Sequence, residues 1–279
     1  MESNHNKSIS KYLFDGDHFF CISYFEGDYN WIKKLNPRKY IVYNKGFQDL
    51  PSELKNIRIK NVGYNLYSYL LFIIENYDNL PGKIIFCKNN IFKRHIKKEY
   101  FEELITRNTY TSLDEIYEKH KYPISIKLSD GSFTEINNSW YKFKYERLYF
   151  ADYNEFYKFI FNTNNIPHYL KFAPGANYLV TRENILLRTK NFYLNLLLFI
   201  SHSQFSCESH FLERSLDSIW QSNIYSSEIM DKKIGQYQKE DLIKKCKLLI
   251  SKESFIIRKI KDKLIFKIGE YFIKLLEIF

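Results

Sequence analysis

The sequence predicts an α/β fold built on a mainly parallel sheet with flanking helices. Short apolar runs of strand length alternate with stretches whose apolar residues recur at helical spacing, which is the pattern of a parallel sheet covered by helices. The first predicted strands also end in loops that carry polar or charged side chains. Open α/β sheets bind their ligands at such loops, beyond the carboxyl ends of the strands.

The first third of the chain supplies three predicted strands and one long helix. Each strand is a nearly continuous apolar run, as expected for a strand buried on both faces; the runs lie at 18–25, 39–43 and 83–87. A short helix is predicted around Trp31. A longer helix is predicted over 65–78, because its apolar residues are spaced three or four apart and Leu80-Pro81-Gly82 ends it.

The pattern changes after about residue 89. A hairpin is predicted with Asp130-Gly131 in its turn, and an aromatic segment follows at 140–150. Two short strands are expected around Pro174-Gly175. Further helices are predicted at 152–161, 182–187, 191–201 and 208–220. Neither an internal repeat nor a flexible linker interrupts the pattern, which favours one α/β domain over 1–230 and a helical C-terminal segment over 231–279.

Composition bounds the function. A chain of 279 residues with 45% hydrophobic residues can bury roughly three quarters of its unfolded surface, so it needs neither disulfides nor a structural metal. The net charge of +10 is weak evidence for a nucleic-acid partner, because AT-rich codon usage produces the same excess of lysine. The four scattered cysteines form no C-x-x-C pair and predict buried thiols in a cytoplasmic protein. No signal peptide or membrane span is predicted.

Two strand-ending loops are candidate binding sites. Glu26 and Asp28 follow the first strand and could contact a nucleotide base, a ribose or a metal; alternatively, Asp28 caps the short helix. Asn44 and Lys45 follow the second strand. Lys45 could neutralise a diphosphate while Gly46 lets the backbone approach closely, or the turn is a plain surface turn.

A late helix carries the candidate catalytic group. Helical spacing places His210, Glu213, Arg214 and Asp217 on one face. A carboxylate held by an arginine beside an imidazole suits a general base, although a helix surface with internal ion pairs gives the same pattern. The sequence contains no H-E-x-x-H, G-x-S-x-G, Walker lysine loop or G-x-G-x-x-G motif. The sequence therefore lacks the main motif evidence for membership of four enzyme classes: zincins, α/β-hydrolases, P-loop enzymes and dinucleotide dehydrogenases.

Several segments together resemble a widespread domain family of unknown function, and they occur in the family's order. The family's motifs are Y-N-E-D-x-x-W, Y-N-K-G, N-V-G-x-E, N-Y-D-x-L-P, G-A-x-F-x-V-S-R-E-R-I and H-x-L-E-R-x-W. Their counterparts here include Asp28-x-x-Trp31, Tyr43-Asn44-Lys45-Gly46, Asn76-Tyr77-Asp78-x-Leu80-Pro81, Val180-Thr181-Arg182-Glu183 and His210-x-Leu212-Glu213-Arg214. The sequence departs from these motifs at Gly27, where the family has Glu, and at Tyr64-Asn65, which replaces the charged residue after Asn61-Val62-Gly63.

The layout of this family is similar to that of GT-A type glycosyltransferases, which have a Rossmann-like nucleotide-binding half and a catalytic carboxylate on a late helix. The resemblance implies transfer of a sugar from a nucleotide-sugar donor to a glycan or lipid-linked acceptor. It implies that Glu26 and Asp28 hold the nucleoside, that Lys45 beside Asn44 lies near the phosphates, and that Arg182 lies beneath the donor sugar. Glu213 is then the base, oriented by Arg214 and neighboured by His210.

The resemblance fails at the metal motif. GT-A enzymes end a mid-chain strand in an acidic Asp-x-Asp motif, whereas Lys88-Asn89-Asn90 follows the strand at 83–87. This argues against a divalent metal and implies that Lys45, Lys88 or Arg182 neutralises the leaving diphosphate. The alternatives are a non-catalytic module of the same fold that binds a sugar nucleotide or a glycan and, with less support, a basic nucleic-acid-binding protein.

The C-terminal segment predicts a basic amphipathic helix over 257–279. Apolar residues from Ile257 to Phe279 advance by three or four positions, and lysines occupy most of the remaining surface. Such a helix could bind the anionic inner leaflet of a membrane peripherally. Packing on the chain's own domain or on a second subunit would produce the same pattern.

Overall fold

Two sheets organise the residues that the computed structural model describes, 16–115 and 125–252. The larger sheet has six strands, which in spatial order are Asn56–Arg58 (β3), Tyr40–Asn44 (β2), Phe19–Tyr24 (β1), Lys83–Lys88 (β4), Tyr178–Thr181 (β9) and Thr111–Ser112 (β5). The smaller sheet is antiparallel and consists of Ser125–Lys127 (β6), Phe133–Ile136 (β7) and Tyr169–Phe172 (β8).

Eight α-helices are present in the described part of the chain. They are Leu66–Asn76 (α1), Ile91–Arg94 (α2), Lys98–Leu104 (α3), Tyr153–Ile160 (α4), Arg182–Leu186 (α5), Lys190–Ile200 (α6), Cys207–Gln221 (α7) and Gln236–Lys252 (α8). The short turn predicted near Trp31 is a 3-10 helix, Ile32–Lys34. The helical spacing therefore located α1, α4, α5, α6 and α7 correctly.

The predicted α/β class and the mainly parallel sheet are confirmed. Strands β3, β2, β1 and β4 are mutually parallel, whereas β9 runs antiparallel to both β4 and β5. Successive residues of β1 point to opposite faces: Cys21 belongs to one hydrophobic cluster, and Phe20 and Ile22 belong to the other. Because both faces are covered, the strand sequence is continuously apolar rather than alternating.

Helices pack on both faces of the larger sheet. On one face, α1, α6 and α7 contribute buried side chains such as Ile73, Phe199 and Phe211. On the other face, α3 and the segments around it contribute Leu104 and Ile96. The sheet therefore separates two apolar layers, and the loops at its edges carry polar side chains.

Two predicted strand pairs have different outcomes. The hairpin with Asp130-Gly131 in its turn is confirmed as β6 and β7. The strands predicted on either side of Pro174-Gly175 exist, but β8 pairs with β7 in the small sheet and β9 with β4 in the large one. The Pro174-Gly175 turn consequently crosses from one sheet to the other.

The predicted C-terminal segment is described only in part. Helix α8 packs Leu242 into the hydrophobic cluster of α1, α6 and α7, and Lys245 forms an ion pair with Glu155 of α4 at 2.6 Å. The predicted amphipathic helix over 257–279 lies outside the described residues. Within the described ranges, no helix combines the length and the apolar character that crossing a membrane requires. All four cysteines are buried free thiols, as predicted.

Candidate active site

The loops that follow β1 and β2 lie at the same edge of the sheet, as the sequence predicted. The two strands are parallel and pair Tyr24 with Asn44. The main-chain N–H of Lys45 donates to the carbonyl oxygen of Tyr24 at 2.8 Å. A side chain at Gly46 would collide with the carbonyl oxygen of Phe25, so only glycine permits this approach of the two loops.

The acidic loop after β1 is exposed and is held by its backbone. Asp28 accepts a hydrogen bond from the N–H of Asn30 at 2.8 Å, so it closes a local turn rather than capping the 3-10 helix, which has no side-chain cap. The side-chain amide of Asn89 donates to the carbonyl oxygens of Glu26 (2.9 Å) and Asp28 (3.3 Å). The carboxylates of Glu26 and Asp28 consequently remain exposed to solvent, while Asn89 ties their loop to the end of β4.

Asn44 and Lys45 are internal supports of the second loop. The Asn44 side chain accepts from the N–H of Gly46 at 3.0 Å and donates to the carbonyl oxygen of Gln48 at 2.8 Å. The Lys45 ammonium is buried and donates to the carbonyl oxygens of Val62 and Tyr64. Burial lowers the pKa of Lys45 to about 7. The Lys45 ammonium group therefore binds the 62–64 loop and does not point into solvent.

A lysine and a carboxylate converge on Gly175, beyond the end of β4. One oxygen of Glu213 accepts from the N–H of Gly175 at 2.7 Å. Gly175 has a φ of +80°, and a Cβ there would lie 2.7 Å from Nζ of Lys88. Burial lowers the pKa of Lys88, and the Glu213 carboxylate opposes this effect. The Lys88 ammonium makes neither a hydrogen bond nor an ion pair with any residue that the structure describes, which leaves it available to an anion.

Arg214 holds the carboxylate of Glu213 from the other side. It donates to the second oxygen of Glu213 at 3.1 Å and to both oxygens of Glu135 on β7. Its guanidinium also lies over the rings of Tyr141 and Phe172, 4.4 Å from each centroid. Arg214 therefore contacts Glu213, and a third partner, Glu135, completes the cluster. The catalytic role of Glu213 stays a prediction.

His210 lies in an aromatic environment one turn before Arg214. Its ring stacks on Tyr145 (4.3 Å between centroids) and Tyr141 (5.3 Å), and Nε2 is hydrogen-bonded to the hydroxyl of Tyr64 at 3.2 Å. Burial, and to a smaller extent the nearby Arg214, lowers the pKa of His210 to about 3. The imidazole is consequently neutral at physiological pH, and it positions Tyr64 rather than carrying charge.

Arg182 is not brought to this site. It is the first residue of α5, directly after Thr181, and Thr181 pairs with Lys83 at the beginning of β4. Because β9 is antiparallel to β4, the residue that follows β9 lies at the amino-terminal edge, whereas Lys88 lies at the carboxyl edge. The expectation that Arg182 shares a site with Lys45 and Lys88 is therefore wrong.

A histidine and an aspartate that the sequence analysis missed lie beside Lys88. Nδ1 of His95 is 3.5 Å from a carboxylate oxygen of Asp114. Nε2 of His95 is buried without a hydrogen-bond partner, and a Cβ on Gly175 would lie 3.1 Å from it. No motif marks these two residues, since the chain brings them together only by folding α2 and the segment after β5 onto the same edge.

Metal-binding residues do not cluster in the described ranges. No group of three or more histidine, cysteine, aspartate or glutamate side chains there is arranged to hold a metal ion. At the end of β4, where Asp-x-Asp would lie, the side chains belong to Lys88 and Asn89. At this position the ammonium group of Lys88 suits an anion, and the amide of Asn89 replaces a carboxylate.

Fold and site together define an α/β protein with a basic and an acidic side chain converging at the carboxyl edge of its parallel strands. A family model described as "Protein of unknown function (DUF3431)" matches residues 22–238. The chain belongs to this family. No curated protein and no solved structure matches the sequence.

Proposed function

We propose that the chain is a glycosyltransferase of the GT-A type that takes a sugar from a nucleotide-sugar donor and transfers it to a glycan or lipid-linked acceptor. One observation carries the proposal. The late-helix carboxylate, Glu213, reaches the carboxyl end of the mid-chain strand β4, where it faces Lys88 across Gly175. The resemblance to GT-A enzymes requires these two positions to meet, although 125 sequence positions separate them.

In the proposed reaction, one residue accepts a proton and another stabilises the leaving group. The Glu213 carboxylate accepts the proton of an acceptor hydroxyl, whose oxygen bonds to the anomeric carbon of the donor sugar. The bond from that carbon to the diphosphate oxygen breaks, and its electron pair leaves with the nucleoside diphosphate. Lys88 stabilises the charge that develops on this leaving group, because an ammonium–phosphate contact in a site shielded from water is a strong interaction.

Lys45 and Arg182 do not share this role in the proposal. The Lys45 ammonium already binds the carbonyl oxygens of Val62 and Tyr64, and Arg182 lies at the far edge of the sheet. Of the three cations that the sequence analysis offered for the diphosphate, Lys88 is the one with a free ammonium beside Glu213. In the proposal, Lys88 is therefore the single side chain that neutralises the diphosphate, and replacing it tests this role.

A second function, a non-catalytic module that binds a sugar nucleotide or a glycan, has one observation in its favour. Both oxygens of Glu213 already accept hydrogen bonds, one from Gly175 and one from Arg214. These two contacts hold the carboxylate in place, as a binding site without turnover requires. A module would bind the donor without consuming it, so measuring binding and turnover separately distinguishes the two functions.

The test is a thermal-shift panel of UDP-, GDP- and CMP-sugars on the full chain. We expect one nucleotide class to raise the melting temperature, because a ligand that binds only the folded state stabilises it. Replacing Lys88 by Gln should weaken that affinity roughly 10- to 100-fold, the range for one charge-assisted hydrogen bond. The matched control is Lys247→Gln on the exposed side of α8, which should bind like the wild type. If none of the donors stabilises the wild-type chain, the proposal is wrong.

A further inference from the structure

A second polar pocket lies beside the candidate active site, between the two sheets and α7. It has a volume of about 130 Å³, and its walls come from β5, from the turn between β6 and β7, from β8 and from α7. Its polar wall is formed by Ser112, Asp130, Lys171, Asp217 and Arg107. Asp217 follows Glu213 by four residues on α7, so the pocket begins one helical turn from the proposed base.

Two polar side chains in this pocket have no hydrogen-bond partner among the residues that the structure describes. The residue Ser112 is only 8% exposed, and its hydroxyl is buried without a hydrogen bond. Asp217 makes neither a hydrogen bond nor an ion pair with the rest of the described chain, and burial raises its pKa. Buried polar groups are almost always hydrogen-bonded in folded proteins. Ser112 is such a group, and the half-buried Asp217 in the same wall also lacks a partner in the described chain, so the two together indicate a ligand that supplies hydrogen bonds.

The charges of the pocket balance. Asp130 is paired with Lys171 at 2.8 Å and accepts from the N–H of Ser132 at 3.0 Å. Asp217 and Arg107 add one charge of each sign. A balanced lining favours neither an anion such as a phosphate nor a simple cation, whereas hydroxyl groups can donate to Asp217 and exchange hydrogen bonds with Ser112. The rings of Phe172 and Tyr178 supply an apolar wall.

We infer that this pocket binds one ring of a neutral carbohydrate through hydrogen bonds from its hydroxyls to Asp217 and Ser112. The volume lies below the roughly 300–1,000 Å³ of pockets that take drug-sized ligands, so the pocket admits a single small ring and excludes a nucleotide sugar. In the proposed glycosyltransferase this ring belongs to the acceptor, since Asp217 of the pocket lies one helical turn from Glu213. That the ring is an acceptor rests on the proposed function, whereas the binding of a carbohydrate by this pocket does not.

The experiment is ligand-observed saturation-transfer NMR on the full chain with the methyl glycosides of glucose, galactose and mannose as probes. We expect at least one glycoside to bind. Asp217→Asn and Ser112→Ala should each weaken that binding at least tenfold. Asp241→Asn, an exposed carboxylate on α8, is the matched control and should bind the glycoside unchanged. Ser112→Ala removes an unpaired buried hydroxyl, which folding does not require, so its melting temperature should equal or exceed that of the wild type.

Each outcome separates this inference from the proposed function. If the glycoside binds and no nucleotide sugar does, the carbohydrate pocket stands and the glycosyltransferase proposal fails. The inference is overturned if no glycoside binds to the wild type, or if folded Asp217→Asn and Ser112→Ala bind like the wild type. It is also overturned if Asp217→Asn abolishes the thermal shift by nucleotide sugars, because the pocket would then be part of the donor site.

Discussion

Replacing Arg214 by Met should destabilise the protein by about 3–5 kcal/mol, because it leaves a buried carboxylate without its counter-ion. The Arg214 side chain is 5% exposed and that of Glu135 is 8% exposed. Without Arg214, the nearest remaining donor to Glu135 is the indole N–H of Trp140 at 3.5 Å. Glu213 is affected less, because it is more exposed and keeps its hydrogen bond from Gly175.

The assay is urea denaturation at pH 7, followed by circular dichroism. Arg182→Met, an exposed arginine on α5, is the control and should change the free energy of unfolding by no more than about 0.5 kcal/mol. The double variant Arg214→Met/Glu135→Met removes both charges and should recover most of the loss, since apolar replacement of a whole buried pair is often neutral. A cost below about 1 kcal/mol for Arg214→Met alone would refute the reasoning.

Three further predictions concern the same edge of the sheet. Gly175→Ala should cost about 1–3 kcal/mol, because it places a Cβ at positive φ against Lys88; Gly82→Ala, with open space around it, is the control, and equal urea midpoints for the two variants would contradict this. His210 has a folded-state pKa of about 3 against an unfolded value of about 6.5. As the pH falls, the unfolded state therefore binds a proton at a higher pH than the folded state does. Stability should therefore fall as the pH drops below about 6.5, by up to about 1.4 kcal/mol per pH unit, and a His210→Gln variant that keeps this slope in urea titrations would disprove the assignment. Donor binding should survive EDTA because Lys88 supplies positive charge at the end of β4, whereas a strict Mn²⁺ or Mg²⁺ requirement in the thermal-shift panel would show that carboxylates bind a metal.

The strands of the central sheet could be predicted because burial on both faces leaves a strong pattern in the sequence. Strands β1, β2 and β4 have five or six residues each, and at least four of them in each strand are apolar. Strand β3 has three residues, including the exposed Ile57, and β5 has two. Segments this short have too few residues to show the alternating or apolar pattern of a strand. They are strands only because they pair with neighbouring strands in the folded sheet.

The direction of β9 explains why Arg182 does not lie with the other predicted site residues. Arg182 follows a strand, and in a parallel sheet the residue after a strand lies at the ligand-binding edge. Strand β9 is antiparallel to its neighbour β4, which moves Arg182 to the opposite edge. Hydrophobic periodicity is the same for both strand directions, so the sequence pattern contains no information on this point.

A shared face within one element could be predicted, and contacts between distant segments could not. Glu213 and Arg214 lie three and four positions after His210 on one helix, so their shared helix face could be predicted, although their direct contact could not. Glu135 lies 79 positions from Arg214 and Gly175 lies 38 positions from Glu213. Such pairs depend on how the two sheets and α7 pack, and the motif around Pro174-Gly175 gave no sign that its backbone supports the carboxylate.

The turnover of the Glu213→Gln variant decides whether Glu213 is the base. Donor consumption is followed with the nucleotide sugar that stabilises the wild-type chain and with the glycoside that it binds. We expect kcat to fall about 10²- to 10⁴-fold, while the melting temperature and the affinity for the donor stay near those of the wild type. Full turnover by the variant, or a wild-type chain that binds the donor and never consumes it, would contradict the claim that Glu213 is the base.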